Sequence, residues 1–263
     1  MTLDLSRMGF GITGTVSHDI VRELAPRVES AGFRTLWFNH SGSGDALASI
    51  QAAASVTTTL RLGSGVIPVD RVTPGEIVKS VEQRELPLER VVLGIGASAK
   101  PSPLTTVREA ASILHERLGA TVFVGALGPK MRRIAVRETE GILLNWLTPQ
   151  AARQAVADKA HDLADVPGKS AEICLYIRVA LGQGSRPRLE KEAARYAGIP
   201  SYAANFARLG FEALDSAVYG DTPAEIRAGL EPYMGTVDEA VVRAITPNDT
   251  LDEFLALVDA VAG

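Results

Sequence analysis

Residues 91–96 read VVLGIG, residues 103–118 read PLTTVREAASILHERL and residues 121–126 read TVFVGA. The two short runs are apolar on both alternating faces, which predicts strands covered on both sides. In the longer run the apolar residues recur at helical spacing along one stripe: Leu104, Val107, Ala111, Leu114 and Leu118. The order of strand, amphipathic helix and strand predicts a parallel βαβ unit.

The same alternation extends in both directions from this unit. Six further apolar runs are predicted as strands: MGFGIT from Met8, TLWFN from Thr35, LRLGSGVI from Leu60, GILLNW from Gly141, EICLYIRVAL from Glu172 and EAVVRAI from Glu239. Three of the helices between them begin with capping signals: Ser17 with Asp19, Thr73 with Pro74 and Glu76, and Thr148 with Pro149. These residue types are typical of N-caps and of the first helical turn.

Eight strands covered by helices predict an α/β fold, a (β/α)8 TIM barrel that forms one domain over residues 1–263. An open doubly wound sheet is the alternative. The interval from Gly182 to Asp238 is too long for a single helix, so we expect extra helices between the seventh and eighth strands.

Composition restricts the partners and the compartment. The 27 basic and 31 acidic residues are interleaved and give a net charge of −4, which argues against a nucleic-acid partner. We expect a cytoplasmic protein without a membrane partner, because the chain has no long apolar run and no secretory signal. The only cysteine, Cys174, lies in an apolar run and is predicted to be buried.

Barrel active sites form at the carboxyl ends of the strands, and these ends are poor in carboxylates. Glycines, amides and hydroxyls dominate there, as at Gly14, Gly63, Gly96, Ser98, Thr246 and Asn248. Metal-dependent and glycosidic barrels need clustered acids or histidines at these positions, so we expect no metal. Lys100 and Lys130 both follow turn signals, which argues against a Schiff-base aldolase. A mouth of this kind predicts that a bound cofactor supplies the chemistry.

Two local features suggest ligand contacts. In VGALGPKMRRIA, Gly128 and Pro129 begin a helix whose free backbone N–H groups attract phosphate, and Lys130, Arg132 and Arg133 add positive charge. The alternative is that the Gly-Pro pair only starts a helix. His40 is the one histidine predicted at a strand end, where it is either a proton donor or a structural residue.

Five longer stretches resemble one family: WFNHSGSGDALASI, LRLGSGVIPVDRVTP, LPLERVVLGIGAS, GALGPKMRRIAVRETEGILLNWLTP and RYAGIPSYAANFARLGF. They resemble luciferase-like monooxygenases, in particular the bacterial branch that uses the deazaflavin coenzyme F-420. The resemblance extends from Met8 to about Phe211. It implies a barrel that holds a flavin or deazaflavin ring over the strand ends, with the phosphate near the loop and helix after the fifth strand.

The resemblance also implies roles for individual residues. His40 matches a catalytic position, and a non-proline cis peptide is expected between Gly65 and Val66. The cofactor-binding residues implied are Asn39, Ser64, Gly65, Val66, Gly96, Leu127, Gly128, Pro129 and Lys130. Asn145 and Trp146 are expected on the substrate side, although Trp146 is equally compatible with packing at the rim.

The chain departs from the family in two segments. After the phosphate helix it reads AVRETEG at residues 135–141, where the family usually has Ala-Gly-x-x-Ala-Asp-Gly, and this bears on cofactor affinity. The segment from Gly96 to Ala120 is shorter than in many relatives, which predicts an open pocket.

Three functions follow as hypotheses. The first is hydride transfer between F-420 and a small organic substrate. The second is an FMN-dependent two-component monooxygenase served by a separate flavin reductase, and the third is a catalytically silent cofactor-binding barrel. A homodimer is expected from the family, with the apolar faces of the second and third helices (Ala46 to Val56 and Ile77 to Val81) as candidate contacts.

Overall fold

The computed structural model describes residues 2–40, 42–97 and 102–263. Its central sheet contains eight barrel strands: β1 Met8–Thr13, β2 Thr35–Asn39, β3 Arg61–Ser64, β4 Val91–Gly96, β5 Thr121–Gly125, β6 Gly141–Asn145, β7 Glu172–Leu181 and β8 Glu239–Ala244. Neighbouring strands pair in parallel in this order, and β8 pairs with both β7 and β1. The sheet is therefore closed, which confirms the predicted barrel and excludes the open doubly wound sheet.

Ten α-helices are present in the described part of the chain. They are α1 His18–Ala31, α2 Ala46–Ala54, α3 Pro74–Gln83, α4 Pro103–Leu118, α5 Pro129–Glu138, α6 Pro149–Leu163, α7 Arg186–Ala197, α8 Pro200–Leu209, α9 Pro223–Leu230 and α10 Leu251–Ala262. Helices α7, α8 and α9 lie between β7 and β8, so the extra helices expected there are confirmed. In the described residues of the short interval between β4 and β5, one helix, α4, is present.

The capping signals act as predicted. The Ser17 side chain accepts a hydrogen bond from the Ile20 N–H at the start of α1, and Thr148 accepts one from Ala151 at the start of α6. Thr73 forms a capping box with Glu76 at α3. These bonds satisfy N–H groups that have no partner within the helix, and they fix where each helix begins.

The third predicted strand is wrong in one respect. The run LRLGSGVI does not form one continuous strand, because β3 ends at Ser64 and a second short strand, Ile67–Pro68, pairs with β4. Between them lies a cis peptide bond between Gly65 and Val66, as the resemblance predicts. The Gly65 N–H donates to the Phe38 carbonyl oxygen of β2 at 2.9 Å, which ties this bulge to the neighbouring strand.

The barrel interior is filled by large side chains and lined in places by glycine. Its central cluster comprises Trp37, Val92, Phe123, Leu143, Cys174, Tyr176 and Val241. A Cβ atom on Gly63 would collide with the Trp37 indole, so glycine is required where this ring crosses β3. Interior residues alternate with outward-facing residues that pack under the helices.

The apolar faces of α2 and α3 are already covered within the chain. Leu47, Ile50, Ile77 and Val81 are all buried in the core between helices and barrel. These four side chains are therefore not free for a dimer contact, whereas Val56 at the end of the first face is 38% exposed. The homodimer and its contact faces stay predictions. In the described residues, no helix is long and apolar enough to cross a membrane.

Candidate active site

The closed barrel brings the predicted site residues to one mouth, at the carboxyl ends of the strands. Asn39 at the end of β2 donates its side-chain amide to the Gly65 carbonyl oxygen. Ser64 is fully buried, and its hydroxyl donates to the Gly94 carbonyl at 3.1 Å and accepts from the Gly94 N–H at 2.9 Å. The side chains of Asn39 and Ser64 thus hold the bulge at Gly65 in place from two sides.

On one half of the mouth, glycines leave room because they have no side chains. A Cβ atom on Gly96 would lie 2.8 Å from Val66 Cγ2, and one on Gly125 would lie 3.0 Å from Val66 Cγ1. One on Gly65 would collide with the Tyr176 hydroxyl. Val66 can therefore lie across the ends of β4 and β5 only because these positions lack side chains. The result is a low, apolar ledge of the kind that a planar ring needs.

His40 lies at the rim of the mouth, directly after β2. Its Nδ1 accepts a long hydrogen bond of 3.5 Å from the Ala46 N–H. Burial lowers the pKa of His40, Asp45 opposes this shift, and Arg71 adds to it. The imidazole is therefore neutral at pH 7, and the accepted bond assigns its proton to Nε2.

The start of α5 contains an unpaired guanidinium. Gly128 is the N-cap without a side-chain cap, Pro129 follows it, and Lys130 is exposed. Arg132, in the first turn, is only 7% exposed, and its Nε and Nη2 have no hydrogen-bond partner among the described residues. Burial and the nearby Arg208 lower the pKa of Arg132 to about 10, against the charge of Asp158.

A second buried donor lies on α8, beside the Arg208 that acts on the pKa of Arg132. Asn205 of α8 accepts a 2.6 Å hydrogen bond from Arg208 Nη2, but its own Nδ2 has no partner in the part of the chain described. The sequence predicts Arg132 only as one of three positive charges near this helix start. No local sequence signal marks the burial of Arg132 or the position of Asn205.

Asn145 and Trp146 join an aromatic cluster formed with α7 and α8. Asn145 accepts a hydrogen bond from Arg178 Nη1 and donates its Nδ2 to the Tyr202 hydroxyl at 3.1 Å. Trp146 is buried beneath Arg178, whose guanidinium carbon lies 4.2 Å from the ring centroid. Its φ of 54° is unusual for a bulky residue and costs about 1–3 kcal/mol, which the surrounding contacts must offset.

The sequence pattern does not single out Arg178 of β7 or Arg243 of β8, yet both side chains lie in the mouth. Each is the only charged residue of its strand after the glutamate at the first position. That interruption of EICLYIRVAL and EAVVRAI is the one local signal that marks them, because a charge in a buried strand needs a partner.

One group of potential metal ligands lies at the opposite, amino-terminal end of the barrel. Oxygens of Glu172 and Glu239 and the sulfur of Cys174 lie within 4.8 Å of one another. Arg34 and Arg61 each approach Glu172 Oε2 to 3.0 Å. Burial, and then Glu239, raises the pKa of Cys174 well above its ordinary value, so the thiol keeps its proton. The carboxylate of Glu172 is thus already paired with two arginines, and the protonated thiol is a poor metal ligand.

The segment that departs from the family also lies at this amino-terminal end. Glu140 follows α5 and precedes β6, and its Oε2 is 2.9 Å from His115 Nε2 and accepts from the Val122 N–H at 3.0 Å. The change at 135–141 therefore lies at the end of the barrel opposite the mouth. Ser98 and Lys100 lie outside the described residues.

Sequence comparisons agree with the predicted resemblance. A family model described as luciferase-like monooxygenase matches residues 3–118, which confirms it. The chain is similar to the 5,10-methylenetetrahydromethanopterin reductase of Archaeoglobus fulgidus, with 26% identity over 46% of this chain and 48% of that protein. It is also similar to the reductase of the same name from Methanolobus tindarius, with 24% identity over 57% of each chain. The match spans about half the length of these curated relatives.

Solved structures with the same fold include proteins described with either cofactor. The coenzyme F-420-dependent tetrahydromethanopterin reductase from Methanopyrus kandleri has a TM-score of 0.72 and 15% identity, covering 97% of this chain and 98% of that chain. The oxygenating constituent of 3,6-diketocamphane monooxygenase from Pseudomonas putida, in complex with FMN, has a TM-score of 0.65 and 12% identity, covering 100% and 96%. At these identities the likeness shows the barrel fold alone.

Proposed function

From the luciferase-like resemblance over residues 3–118, we propose that this chain is an oxidoreductase that transfers a hydride between coenzyme F-420 and a small organic substrate. The observation that carries the proposal is the buried guanidinium of Arg132 in the first turn of α5, whose Nε and Nη2 have no hydrogen-bond partner in the part of the chain that the structure describes. A buried ion without a partner is costly, so this position calls for an anion. The free N–H groups of the helix start point to the same ligand, a phosphate.

The described residues fit such a cofactor along one side of the mouth. The ledge of Gly65, Val66 and Gly96 would support the ring, with Asn39 at its edge. The backbone from Leu127 to Lys130, with Arg132, would hold the phosphate. Ring and phosphate are then bound by adjacent strand ends, β3 to β5, in the order in which these strands follow one another around the barrel.

When bound, the cofactor supplies or accepts the hydride. His40 would act on the substrate oxygen from the rim of the mouth. Its neutral ring holds a proton on Nε2 and can donate it in a hydrogen bond to that oxygen. Asn145 and Trp146 lie beyond the cofactor ledge and would border the substrate.

Titration of the purified chain with F-420 and, separately, with FMN tests the cofactor. We expect tighter binding of F-420, because both curated relatives are methylenetetrahydromethanopterin reductases and a solved tetrahydromethanopterin reductase of the same fold is described as F-420-dependent. Tighter binding of FMN would favour the monooxygenase alternative and would call for a separate flavin reductase. Binding of neither would favour the silent barrel.

Arg132→Met tests the observation that carries the proposal. Loss of a charged hydrogen-bond donor should weaken F-420 binding at least about tenfold, which corresponds to about 1.4 kcal/mol. The unliganded variant should be at least as stable as the wild type, because it no longer buries an unpaired charge. The matched control is Arg153→Met, which removes an exposed charge on the neighbouring helix α6. Equal weakening in both variants would contradict the proposal.

A further inference from the structure

Two arginines lie side by side in the mouth, on the far side from the glycine ledge. Arg178 of β7 and Arg243 of β8 are register partners across the two strands. Both side chains point into the barrel, because Tyr176 and Val241, two residues earlier on the same strands, belong to the interior cluster. They are only 4% and 7% exposed. Like charges directly opposite each other destabilise a sheet, so this arrangement needs an explanation.

The charges around this pair do not balance. Glu192 of α7 approaches Arg178, with its Oε1 3.0 Å from Arg178 Nε. Burial raises the pKa of Glu192, but Arg178 and Arg243 outweigh burial and the pKa lies below its ordinary value, so the carboxylate is ionised. Arg243 has no ion-pair partner within 4.0 Å in the described residues and donates only to the Ala244 carbonyl. Asp249, a further carboxylate that acts on Arg243, is itself ion-paired with Arg188 at 2.5 Å. These three cations and two anions leave one positive charge around the pair.

The environment of Arg243 favours an added anion. Burial lowers the pKa of Arg243, Glu192 opposes the shift, and Arg178 lowers it further. An arginine nevertheless stays protonated in proteins, so the protein holds this charge at a cost that a bound anion would reduce.

The guanidinium of Arg178 is held by several side chains, whereas that of Arg243 is bonded only to a backbone carbonyl oxygen in the described residues. The guanidinium of Arg178 is bound by Asn145 and Glu192 and lies against the rings of Trp146 and Tyr196 at 4.2 and 5.0 Å. Arg243 lacks comparable side-chain contacts. The arrangement therefore pairs an immobilised guanidinium with one that has hydrogen-bond donors to spare, which is suited to a planar oxyanion.

We propose that Arg243, supported by Arg178, binds a carboxylate of the substrate, and that the substrate is therefore a small organic acid. One surplus positive charge matches one carboxylate. The pair is separate from both parts of the cofactor site, because β7 and β8 lie across the barrel from β3 and β4, and the phosphate position follows β5. The assignment to substrate rests on the proposed function, whereas binding of the anion itself does not.

Calorimetric titration of the cofactor-free protein with benzoate and pyruvate, each compared with its amide, tests this site. We expect at least one carboxylate to bind with a dissociation constant of about 1 mM or lower, and its amide not to bind. Arg243→Met should weaken that binding at least about thirtyfold, and Arg243→Lys should weaken it less, because lysine keeps the charge but loses the planar fork. Affinity for F-420 should not change in either variant.

The matched control is Arg186→Met, which removes an exposed arginine paired with Glu190 on the same helix α7 as Glu192. It should leave carboxylate binding unchanged. Three results would overturn the proposal: the acid and its amide bind equally, Arg243→Met binds the acid as tightly as the wild type does, or neither acid binds. Loss of F-420 affinity in Arg243→Met would also overturn it, because Arg243 would then bind the cofactor and not the substrate. Carboxylate binding by a wild-type chain that binds neither F-420 nor FMN would instead refute the proposed function and leave the anion site standing.

Discussion

The two ends of the barrel interior contain similar polar groups but satisfy them differently. At the amino-terminal end, Glu239 accepts a hydrogen bond of 2.6 Å from Trp37 Nε1 and one of 3.1 Å from Thr35 Oγ1. At the mouth, Tyr176 OH, Trp146 Nε1 and Asn39 Oδ1 are buried with no partner in the described ranges. Each such group costs about 1–3 kcal/mol. In the described residues, the amino-terminal end is thus more nearly satisfied by the fold itself than the mouth is.

Charge follows the same division. At the amino-terminal end, Glu172 and Glu239 face Arg34 and Arg61, two anions against two cations, and Nη2 of Arg61 is the one orphan atom of this network in the residues described. The mouth keeps a surplus positive charge. This difference teaches that polar groups inside a barrel serve different roles at its two ends. They contribute to stability at the amino-terminal end and to binding at the carboxyl end.

Glu239→Ala should have the largest effect on stability. It leaves the Trp37 and Thr35 donors without acceptors and removes the anion that faces Arg34 at 3.8 Å. We expect the free energy of unfolding to fall by about 3–5 kcal/mol, measured by urea denaturation. Glu239→Gln keeps one acceptor oxygen and should lose less. A variant that kept wild-type stability but lost cofactor binding would break the division between the two ends.

His40→Ala should affect the mouth alone. We expect turnover to fall about a hundredfold with little change in unfolding, because His40 lies at the rim and contributes one proton-bearing nitrogen. Its pKa lies below the ordinary value, so the neutral ring predominates at pH 7, and wild-type turnover should fall as the pH falls through that lowered pKa. His40→Gln, which retains an N–H donor, should keep more activity than His40→Ala. A rate that rises in acid would instead identify the imidazolium as the reactive form.

Local signals predict most of the barrel. Strands appear in the sequence as apolar runs, and Ser17, Thr73 and Thr148 mark helix starts within a few residues of the bonds they form. The break in the third strand is different, because the alternation of LRLGSGVI continues through Gly65. The bulge depends on hydrogen bonds to β2 and β4, which no local pattern contains.

The residues that carry the site proposals depend on contacts between distant parts of the chain. Arg132 is buried only once the chain around α5 has folded, and Arg178 meets Arg243 only because the barrel closes β8 onto β7. Neither event has a local signature. Asn39, His40 and Gly128 are predicted because they lie at strand and helix ends, where position alone indicates access to the mouth.

The smallest expected effect concerns Glu29 of α1, at the margin of the amino-terminal end. Its Oε1 accepts from the N–H groups of Thr58, Thr59 and Leu60 at 3.0, 2.7 and 2.8 Å. Burial raises the pKa of Glu29, but these bonds outweigh burial and the pKa lies below its ordinary value.

The stability that the ionised Glu29 contributes is present above the unfolded-state pKa and is lost as the pH falls through the lower folded-state pKa. Glu29→Gln should therefore lower the free energy of unfolding by only about 0.5–1 kcal/mol at pH 7, since the carboxylate is partly exposed and an acceptor oxygen remains. Urea denaturation at about pH 3 should show a smaller difference between variant and wild type. A difference of equal size at both pH values would mean that the charge of Glu29 does not stabilise the loop at residues 58–60. The pairing of charges at the amino-terminal end would then not extend to Glu29.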